Sequence, residues 1–306
     1  MDIQNVAIVG KGALGLLFGS QIAETLGTDN VCYLMDDARY ERNRERQLSI
    51  NGEPCLIPNV RTGDAKPADL VIVCVKAYGL DDAIDSMAGA VGPGTRIISL
   101  MNGITSEERI AARYGWGNVA LSIAQGMDAT FIGDELTYTH PGEIRLGADE
   151  RTAPGVVDDI SALLGRCGIC HEVEDDMWRR LWVKFTLNVG INQTCMVYGG
   201  TYSSVVEPDG EQLRCYVAAM REAAAVARAE GVEVTEADIS EMVALAASLV
   251  PDGMPSMAQD RINKKPSEVE EFAGTVIRLA EKHGILVPQN RWLYKRVHEI
   301  EAGYAG

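Results

Sequence analysis

The chain has 306 residues, which is enough for two domains, and its hydrophobic fraction of 46% is ordinary for a globular protein. A formal net charge of −16 argues against a non-specific nucleic-acid binder, because neutralising phosphates requires a basic face. No run approaches the roughly 18 apolar residues that span a bilayer, and the N-terminus lacks the basic and apolar regions of a signal peptide. We therefore expect a cytoplasmic protein.

The seven cysteines are an odd number spread through the chain, which predicts reduced, buried thiols rather than a disulfide framework. Cys167 and Cys170 have redox spacing in "CGIC", but nothing of the thioredoxin type surrounds them. We interpret them as the entrance to a strand and expect no metal site. The others are Cys32, Cys55, Cys74, Cys195 and Cys215.

The first half of the chain alternates predicted strands and helices. "NVAIVG" is a short apolar strand that ends at Gly10, and a helix that stops at Gly27 follows it. "NVCYLMD" is a second strand. The almost uninterrupted apolar run over residues 69–77 is typical of a parallel strand buried on both faces, and "TRIISLMNG" and "NVALSIAQG" continue the series. Residues 128–147 alternate more loosely and predict an antiparallel hairpin appended to the sheet.

A glycine-rich loop, "GKGALG" at residues 10–15, stands directly after the first strand and before the first helix. In a dinucleotide-binding turn, Gly10 permits the tight turn, Gly12 lets the backbone approach a pyrophosphate, and Gly15 lets the helix pack on the strand. The helix N-terminus then offers its N–H groups to the diphosphate. We therefore predict a dinucleotide site that includes Lys11, Ala13 and Leu14, with a tight turn without ligand as the alternative.

Asp36 ends the second strand, about twenty residues past the loop. An acid at this place holds the ribose hydroxyls of NAD and repels the 2′-phosphate of NADP. Arg39 and Arg42 follow closely and could instead bind that phosphate, unless residues 39–46 are simply a solvated charged helix. This stretch leaves both cofactors open.

The alternation of predicted strands and helices ends near residues 166–176. From Trp178 onward nearly every segment has helical periodicity. We therefore predict an α/β Rossmann-type N-terminal domain with a mostly parallel sheet, plus an all-α C-terminal domain. The expected boundaries are residues 1–170 for the dinucleotide-binding domain and 171–306 for a helical substrate and catalytic domain, with a cleft between them.

A line of polar residues interrupts the first of these helices, "WVKFTLNVGINQT" at residues 182–194. Lys184, Asn188 and Asn192 recur at intervals of four and project from one face. An ammonium and two amides form a donor-rich strip suited to a carboxylate, a carbonyl oxygen and a hydroxyl. In the alternative, Lys184 reaches the surface and the asparagines tie helices together. Gly190 in the same helix suggests a close backbone neighbour.

Four further residues are candidates for the same site. Ser256 could donate to a carboxylate, and Glu268 follows Pro266, a plausible helix start where an acid would also favour the helix dipole. Lys76 and Asn102 each lie just beyond the C-terminal end of a predicted parallel strand. Ligands bind along that edge of open α/β sheets.

Taken together, these segments resemble the ketopantoate reductase (2-dehydropantoate 2-reductase) family over nearly the whole chain. The shared features are "GKGALG", "CVKAY" around Lys76, "LMNGI" around Asn102, "W…KFTLNVGIN", "PSMAQD…SEVEEFAG" and "HGILVPQN". The resemblance implies NADPH-dependent reduction of 2-dehydropantoate to (R)-pantoate, in pantothenate and coenzyme A biosynthesis. It favours NADP(H) as the cofactor.

The resemblance also implies roles for the candidate residues. Lys184 would be the proton donor, and Glu268 would assist substrate binding and orientation. Lys76 and Asn102 would contact the cofactor and the substrate side of the cleft. The residues that would hold the substrate are Asn102, Lys184, Asn188, Asn192 and Ser256.

Two positions depart from the family pattern. Asp36 stands where the family often has an arginine that grips the 2′-phosphate, so NAD(H) stays possible. Tyr202 aligns with a further asparagine of some members. A homodimer is also possible, with the helix predicted to start near Pro266 as a candidate contact.

The expected reaction is hydride transfer to the C2 carbonyl of a 2-oxo acid, with Lys184 polarising the carbonyl and protonating the alkoxide. One alternative is a related dehydrogenase of another 2-oxo or 3-hydroxy acid. Another is a nicotinamide-nucleotide sensor that binds cofactor without catalysis, although such a sensor would need no proton donor.

Overall fold

The computed structural model describes residues 1–305 of the chain. The chain divides into two compact units, Met1–Met177 and the residues from Trp178 onward. This division falls later than the sequence-based boundary at residue 170, because the strand His171–Val173 pairs with the sheet of the first unit.

The first unit alternates strands and helices along most of its length. Its strands are β1 (Val6–Val9), β2 (Val31–Met35), β3 (Ser49–Ile50), β4 (Glu53–Pro54), β5 (Asn59–Arg61), β6 (Leu70–Val73), β7 (Arg96–Ser99), β8 (Val119–Gln125), β9 (Thr130–Ile132), β10 (Glu135–Thr137), β11 (Glu143–Gly147) and β12 (His171–Val173). Its helices are α1 (Ala13–Leu26), α2 (Asp37–Asn43), α3 (Leu80–Ser86), α4 (Ser106–Tyr114) and α5 (Val156–Arg166).

The main sheet has eight strands in the order β12-β11-β8-β7-β6-β1-β2-β5. The six strands from β5 to β8 are parallel to their neighbours, whereas β11 is antiparallel to β8. All residues of β1 and β6 are buried, because helices cover both faces of the sheet. Ile8 packs in the core cluster of α1 and α5, and Val9 packs in the cluster of α3 and α4.

Residues 128–147 were predicted to form a hairpin appended to the main sheet, and the structure differs in the sheet that this hairpin joins. β9 and β10 do form an antiparallel hairpin, but this hairpin joins β3 and β4 in a separate four-stranded sheet of order β4-β3-β10-β9. Only β11 extends the main sheet. The sequence between α2 and β5 gave no strand signal, because β3 and β4 are only two residues each.

The described residues of the second unit form helices without any strand. These are α6 (Met177–Tyr198), α7 (Tyr202–Val205), α8 (Glu211–Ala229), α9 (Glu236–Ser248), α10 (Ser256–Ile262), α11 (Thr275–His283) and α12 (Pro288–Ala302), where α6 begins at the boundary. A π-helical turn, Glu270–Gly274, leads directly into α11. An α/β unit with a mostly parallel sheet followed by a helical unit confirms the predicted fold class. No helix in the part of the chain that the structure describes is long and apolar enough to cross a membrane.

Gly190 lets α6 pack closely on α8. A Cβ built at Gly190 would lie 2.5 Å from the Tyr216 ring and 2.6 Å from Met220 Cγ. The close neighbour is therefore a pair of side chains, not a backbone segment as the sequence suggested. Two caps that the sequence did not reveal complete the packing. Arg261 donates to the carbonyl oxygens of the last turn of α6, and the Glu222 carboxylate accepts the N–H groups that open α12.

All seven cysteines are free thiols. The prediction that they are buried is right only for Cys195 and Cys215, since Cys170 is exposed and the other four are half-buried. Cys170 lies outside the core because it precedes the edge strand β12, which has one neighbour in the sheet.

Candidate functional site

The glycine loop, Gly10–Gly15, has the geometry that its sequence predicts. Gly10 has φ +115°, and a Cβ there would lie 2.5 Å from the carbonyl oxygen of Cys74. A Cβ at Gly15 would lie 2.0 Å from the carbonyl oxygen of Gly10. These two positions therefore accept only glycine, one for its conformation and the other because α1 meets the loop there.

Gly12 differs from its two neighbours. Its backbone is extended, and a Cβ built there would meet no atom within 4 Å. Among the described residues no side chain caps the start of α1, and the first turn holds no acid that would compete for an anion. The loop thus offers open space in front of free helical N–H groups, which fits a dinucleotide diphosphate.

The Lys11 side chain turns away from that open space. Its ammonium donates to Asn59 Oδ1 at 2.8 Å and lies 4.8 Å from the centroid of the Tyr33 ring. Burial lowers the pKa of Lys11, and the Arg46 guanidinium lowers it further while the Cys55 thiol opposes the shift. The Lys11 backbone is therefore part of the glycine loop, whereas its ammonium contacts Tyr33 of β2 and Asn59 of β5.

Asp36 follows β2 directly and is the N-cap of α2. Its Oδ1 accepts the Arg39 N–H at 2.7 Å, and its Oδ2 lies 3.4 Å from Arg39 Nε. The Arg39 guanidinium also lies 3.9 Å from Asp82 Oδ2. Arg39 is thus flanked by two carboxylates.

Lys76 and Asn102 lie where the sequence placed them, just beyond β6 and β7 at the C-terminal edge of the parallel strands. Both are half-buried, and both have polar partners within the protein. Their roles toward a cofactor or a substrate stay predictions.

In the helical unit, the polar residues Lys184, Asn188 and Asn192 of α6 differ in how deeply they are buried. Lys184 and Asn188 are half-buried, one turn apart, and Asn192 is only 4% exposed. Trp182, Phe185, Val189 and Ile191 cover the other sides of this helix, as predicted, although Leu187 is half-exposed.

The structure brings three of the predicted substrate residues together. Asn192 Nδ2 donates to Asn188 Oδ1 at 3.2 Å, and Asn192 Oδ1 accepts from Ser256 Oγ at 3.0 Å. Ser256 is the first residue of α10, and the next N–H, that of Met257, donates to the same oxygen at 3.3 Å. Asn188, Asn192 and Ser256 therefore form one hydrogen-bonded chain.

Glu268 lies two residues before the π-helical turn and is 3% exposed. Its carbonyl oxygen accepts the N–H groups of Glu271 and Phe272 at 3.0 and 3.1 Å. A buried carboxylate differs from the solvated first-turn acid of the helix-dipole alternative. π-helical turns are frequent at functional sites, so the position suits a site residue.

Tyr202 begins α7. Its N–H donates to the Gly253 carbonyl oxygen at 3.0 Å, and burial raises its pKa to about 12. The phenol is therefore neutral over the physiological range.

Sequence reasoning missed Asn59, which holds the Lys11 ammonium, and Asp82, which faces Arg39. Asn59 opens a strand of three residues, too short to show a pattern. Asp82 lies in the first turn of α3, where an acid is ordinary.

The fold and the glycine loop define a two-unit protein of the dinucleotide-binding class. The chain belongs to the ketopantoate reductase family. Residues 6–152 match the family model described as "Ketopantoate reductase PanE/ApbA", and residues 176–301 match the model of its C-terminal part.

Relatives and solved structures of this family resemble the chain over its whole length. It is 26% identical to a 2-dehydropantoate 2-reductase of Streptococcus pyogenes, over 97% of this chain and 98% of the relative. It is 28% identical to that of Halobacterium salinarum, over 94% and 96%.

Two solved structures share the fold. One is a ketopantoate reductase from Ralstonia eutropha, with a TM-score of 0.83, 24% identity and 99% and 100% of the two chains covered. The other is a D-mandelate dehydrogenase in complex with NADH, with a TM-score of 0.85, 22% identity and 98% and 99% covered.

Replacing Gly12 with alanine separates cofactor binding from folding. Because the added Cβ meets no protein atom, we expect an unchanged melting temperature. Because it occupies the space that a diphosphate approaches, we expect affinity for the reduced nicotinamide cofactor to fall by about tenfold or more, or 1.4 kcal/mol. Fluorescence titration measures the affinity. Gly94→Ala, at a turn glycine whose Cβ is also unobstructed, is the control and should bind normally. Equal affinities of the two variants would contradict the assignment.

Proposed function

We propose that the protein is a 2-dehydropantoate 2-reductase. It reduces the C2 carbonyl of ketopantoate to give (R)-pantoate, a step of pantothenate biosynthesis. The observation that carries the proposal is the α6 face of the helical unit, where the Lys184 ammonium stands one turn from the Asn188–Asn192–Ser256 chain. An ammonium beside donor amides and a hydroxyl suits an anionic substrate that has a carbonyl to be protonated.

In this proposal each part of the chain has one task. The glycine loop and the start of α1 bind the cofactor diphosphate, and the bound cofactor supplies the hydride. Lysine ammonium groups are protonated at neutral pH, so Lys184 polarises the carbonyl and gives its proton to the oxygen. The neutral amine then regains a proton from solvent. Asn188 and Ser256 orient the acid, and Glu268 assists its orientation.

We further propose that NADH is preferred over NADPH, in departure from what the family resemblance implied. The support is local charge. Two arginines lie at the end of β2, and each is already paired with carboxylates. Arg39 faces Asp36 and Asp82. Arg61, which pairs in register with Met35, faces Asp37 and Glu41. A 2′-phosphate would therefore meet repulsion there, whereas the Asp36 carboxylate can accept from ribose hydroxyls.

We also propose a cytoplasmic homodimer. The free thiols of all seven cysteines suit a reducing compartment. A related ketopantoate reductase from Staphylococcus aureus, with a TM-score of 0.81 at 19% identity, is described as dimeric.

The substrate assignment is tested with a panel of acids. We expect oxidation of the reduced cofactor with ketopantoate, and slower oxidation with phenylglyoxylate or an unbranched 2-oxo acid. Loss of absorbance of the reduced nicotinamide follows the reaction. Turnover of another acid without turnover of ketopantoate would favour a related dehydrogenase. Binding of the cofactor without oxidation by any acid would favour a sensor.

Replacing Lys184 with alanine tests the proton donor. We expect turnover to fall by about 10²- to 10⁴-fold, the usual contribution of general acid catalysis, while cofactor affinity is kept. Steady-state kinetics and fluorescence titration measure the two. Lys295→Ala, which removes an exposed lysine of α12, should leave both unchanged. Near-normal turnover in the Lys184 variant would refute the role.

Replacing Asp36 with asparagine tests the cofactor preference. Asparagine is a good N-cap, so α2 is preserved while the charge is removed. We expect the ratio of NADPH to NADH affinity to rise by about tenfold or more, which corresponds to 1.4 kcal/mol. Asp37→Asn, at the neighbouring exposed carboxylate that pairs with Arg61, is the control and should change the ratio less. Tighter binding of NADPH than NADH by the unmodified protein would overturn the proposal.

A further inference from the structure

The π-helical turn Glu270–Gly274 links the buried Glu268 to two other helices of this unit. Such turns are rare. The Glu268 carbonyl oxygen accepts the N–H groups of two residues of the turn, so the Glu268 backbone is part of its hydrogen bonding. The fully buried ring of Phe272, within the turn, lies 6.3 Å between centroids from Phe185, which follows Lys184 on α6. The turn therefore packs against the part of α6 that carries Lys184.

Three polar side chains on one face of α12 contact the same segment. Tyr294, His298 and Glu301 stand at positions i, i+4 and i+7, which share a helix face, and we call them the α12 stripe. Tyr294 Oη donates to Glu270 Oε1 at 2.6 Å, and His298 Nε2 lies 3.2 Å from the same oxygen. Glu301 Oε1 accepts the Ser267 N–H at 2.8 Å. The α12 stripe thus makes three polar contacts with a segment of four residues.

These contacts hold the chain on both sides of Glu268. Ser267 directly precedes Glu268, and its bond to the stripe fixes the backbone itself. Glu270 is two residues after Glu268 and opens the turn, so the bond from Tyr294 fixes the other side. The hydrogen bond to Glu270, together with burial, raises the pKa of Tyr294 to about 12. The phenol therefore keeps its proton at neutral pH and stays a donor to the Glu270 carboxylate.

From this geometry we infer that Tyr294, His298 and Glu301 are positioning residues for Glu268. They act through the π-helical turn rather than by contact with the substrate. By fixing the backbone before and after Glu268, the α12 stripe sets the direction in which the buried Glu268 carboxylate extends. The inference rests on the proposed function for the role of Glu268, the orientation of a 2-oxo acid. It rests on the structure alone for the contacts between the stripe and the turn.

Replacing Glu301 with alanine tests the inference, because the Ser267 N–H then loses its acceptor. We expect kcat/KM for the 2-oxo acid to fall by about tenfold or more, the effect of one hydrogen bond to a charged group. Cofactor affinity should stay unchanged, since the glycine loop belongs to the other unit. Glu301→Gln keeps an acceptor oxygen and should retain most of the activity. Glu299→Ala removes an exposed carboxylate of the same helix, which pairs with Lys295, and is the control. Equal kcat/KM in the two alanine variants would overturn the inference.

A double-mutant cycle with Glu268→Gln shows whether the α12 stripe acts through Glu268. If it does, Glu301→Ala should lower kcat/KM little further in the Glu268→Gln background, because the carboxylate that it places is already absent. A general loss of structure would lower kcat/KM by the same factor in both backgrounds, and this multiplicative result would contradict the inference. If Glu301→Ala does not fold, Tyr294→Phe removes only the hydroxyl bonded to Glu270 and serves in the same cycle, with an expected single effect of about threefold.

Amide hydrogen exchange tests the same contacts without turnover. The Phe272 N–H donates to the Glu268 carbonyl oxygen at 3.1 Å, and it exchanges only when the turn opens. We expect this N–H to exchange about tenfold faster in a variant that combines Tyr294→Phe with Glu301→Ala, and at the original rate in Glu299→Ala. An unchanged rate in the double variant would refute the positioning role, whether or not a 2-oxo acid is reduced. Faster exchange in a protein that reduces no acid would support the hold of the stripe on the turn and reject the proposed function.

Discussion

The contact between the glycine loop and the start of α1 is the constraint on which the first unit depends. A Cβ at Gly15 would overlap the Gly10 carbonyl oxygen, and one at Gly19 would lie 2.8 Å from both Ile8 Cδ1 and Tyr33 Oη. These two glycines therefore let the helix lie against β1 and β2 at a distance that no larger residue permits. This distance places the N–H groups of α1 at the sheet edge, facing the open side of Gly12. The packing of α1 therefore determines where this unit can bind a cofactor diphosphate.

The helical unit uses a different device, a buried amide that joins two helices. Burying an amide is unfavourable unless it is hydrogen-bonded, and Asn192 meets this condition with three bonds. On the same helix, Lys184 and Asn188 are half-buried. If the substrate is a 2-oxo acid anion, as we propose, a protein with a net charge of −16 needs such local donors, because its overall charge opposes the approach of an anion.

The sequence was sufficient where a local pattern has one physical solution. The glycine loop, the apolar strands β1 and β6 and the helical second half were all predictable, because turn geometry, burial on both faces and helical periodicity are written in neighbouring residues. Contacts between distant residues were not. The Lys11–Asn59 bond, the second carboxylate at Arg39 and the Glu222 cap on α12 join segments whose meeting depends on the whole fold. The burial of Asn192 was not predictable for the same reason, since its hydrogen bonds to Ser256 and Met257 join residues far apart in the sequence.

The small second sheet has a consequence for how the chain matures during synthesis. β3 pairs with β10, and in this pairing Ser49 lies opposite Glu135. The pair can form only after Glu135 has been synthesised. β1, β2 and β6 can assemble around the glycine loop once residues up to Val73 have left the ribosome, but this second sheet cannot close until Thr137 has followed. Pairing across such a separation is entropically slow. During synthesis β3 and β4 can therefore pair only with each other until the chain up to Thr137 has been made.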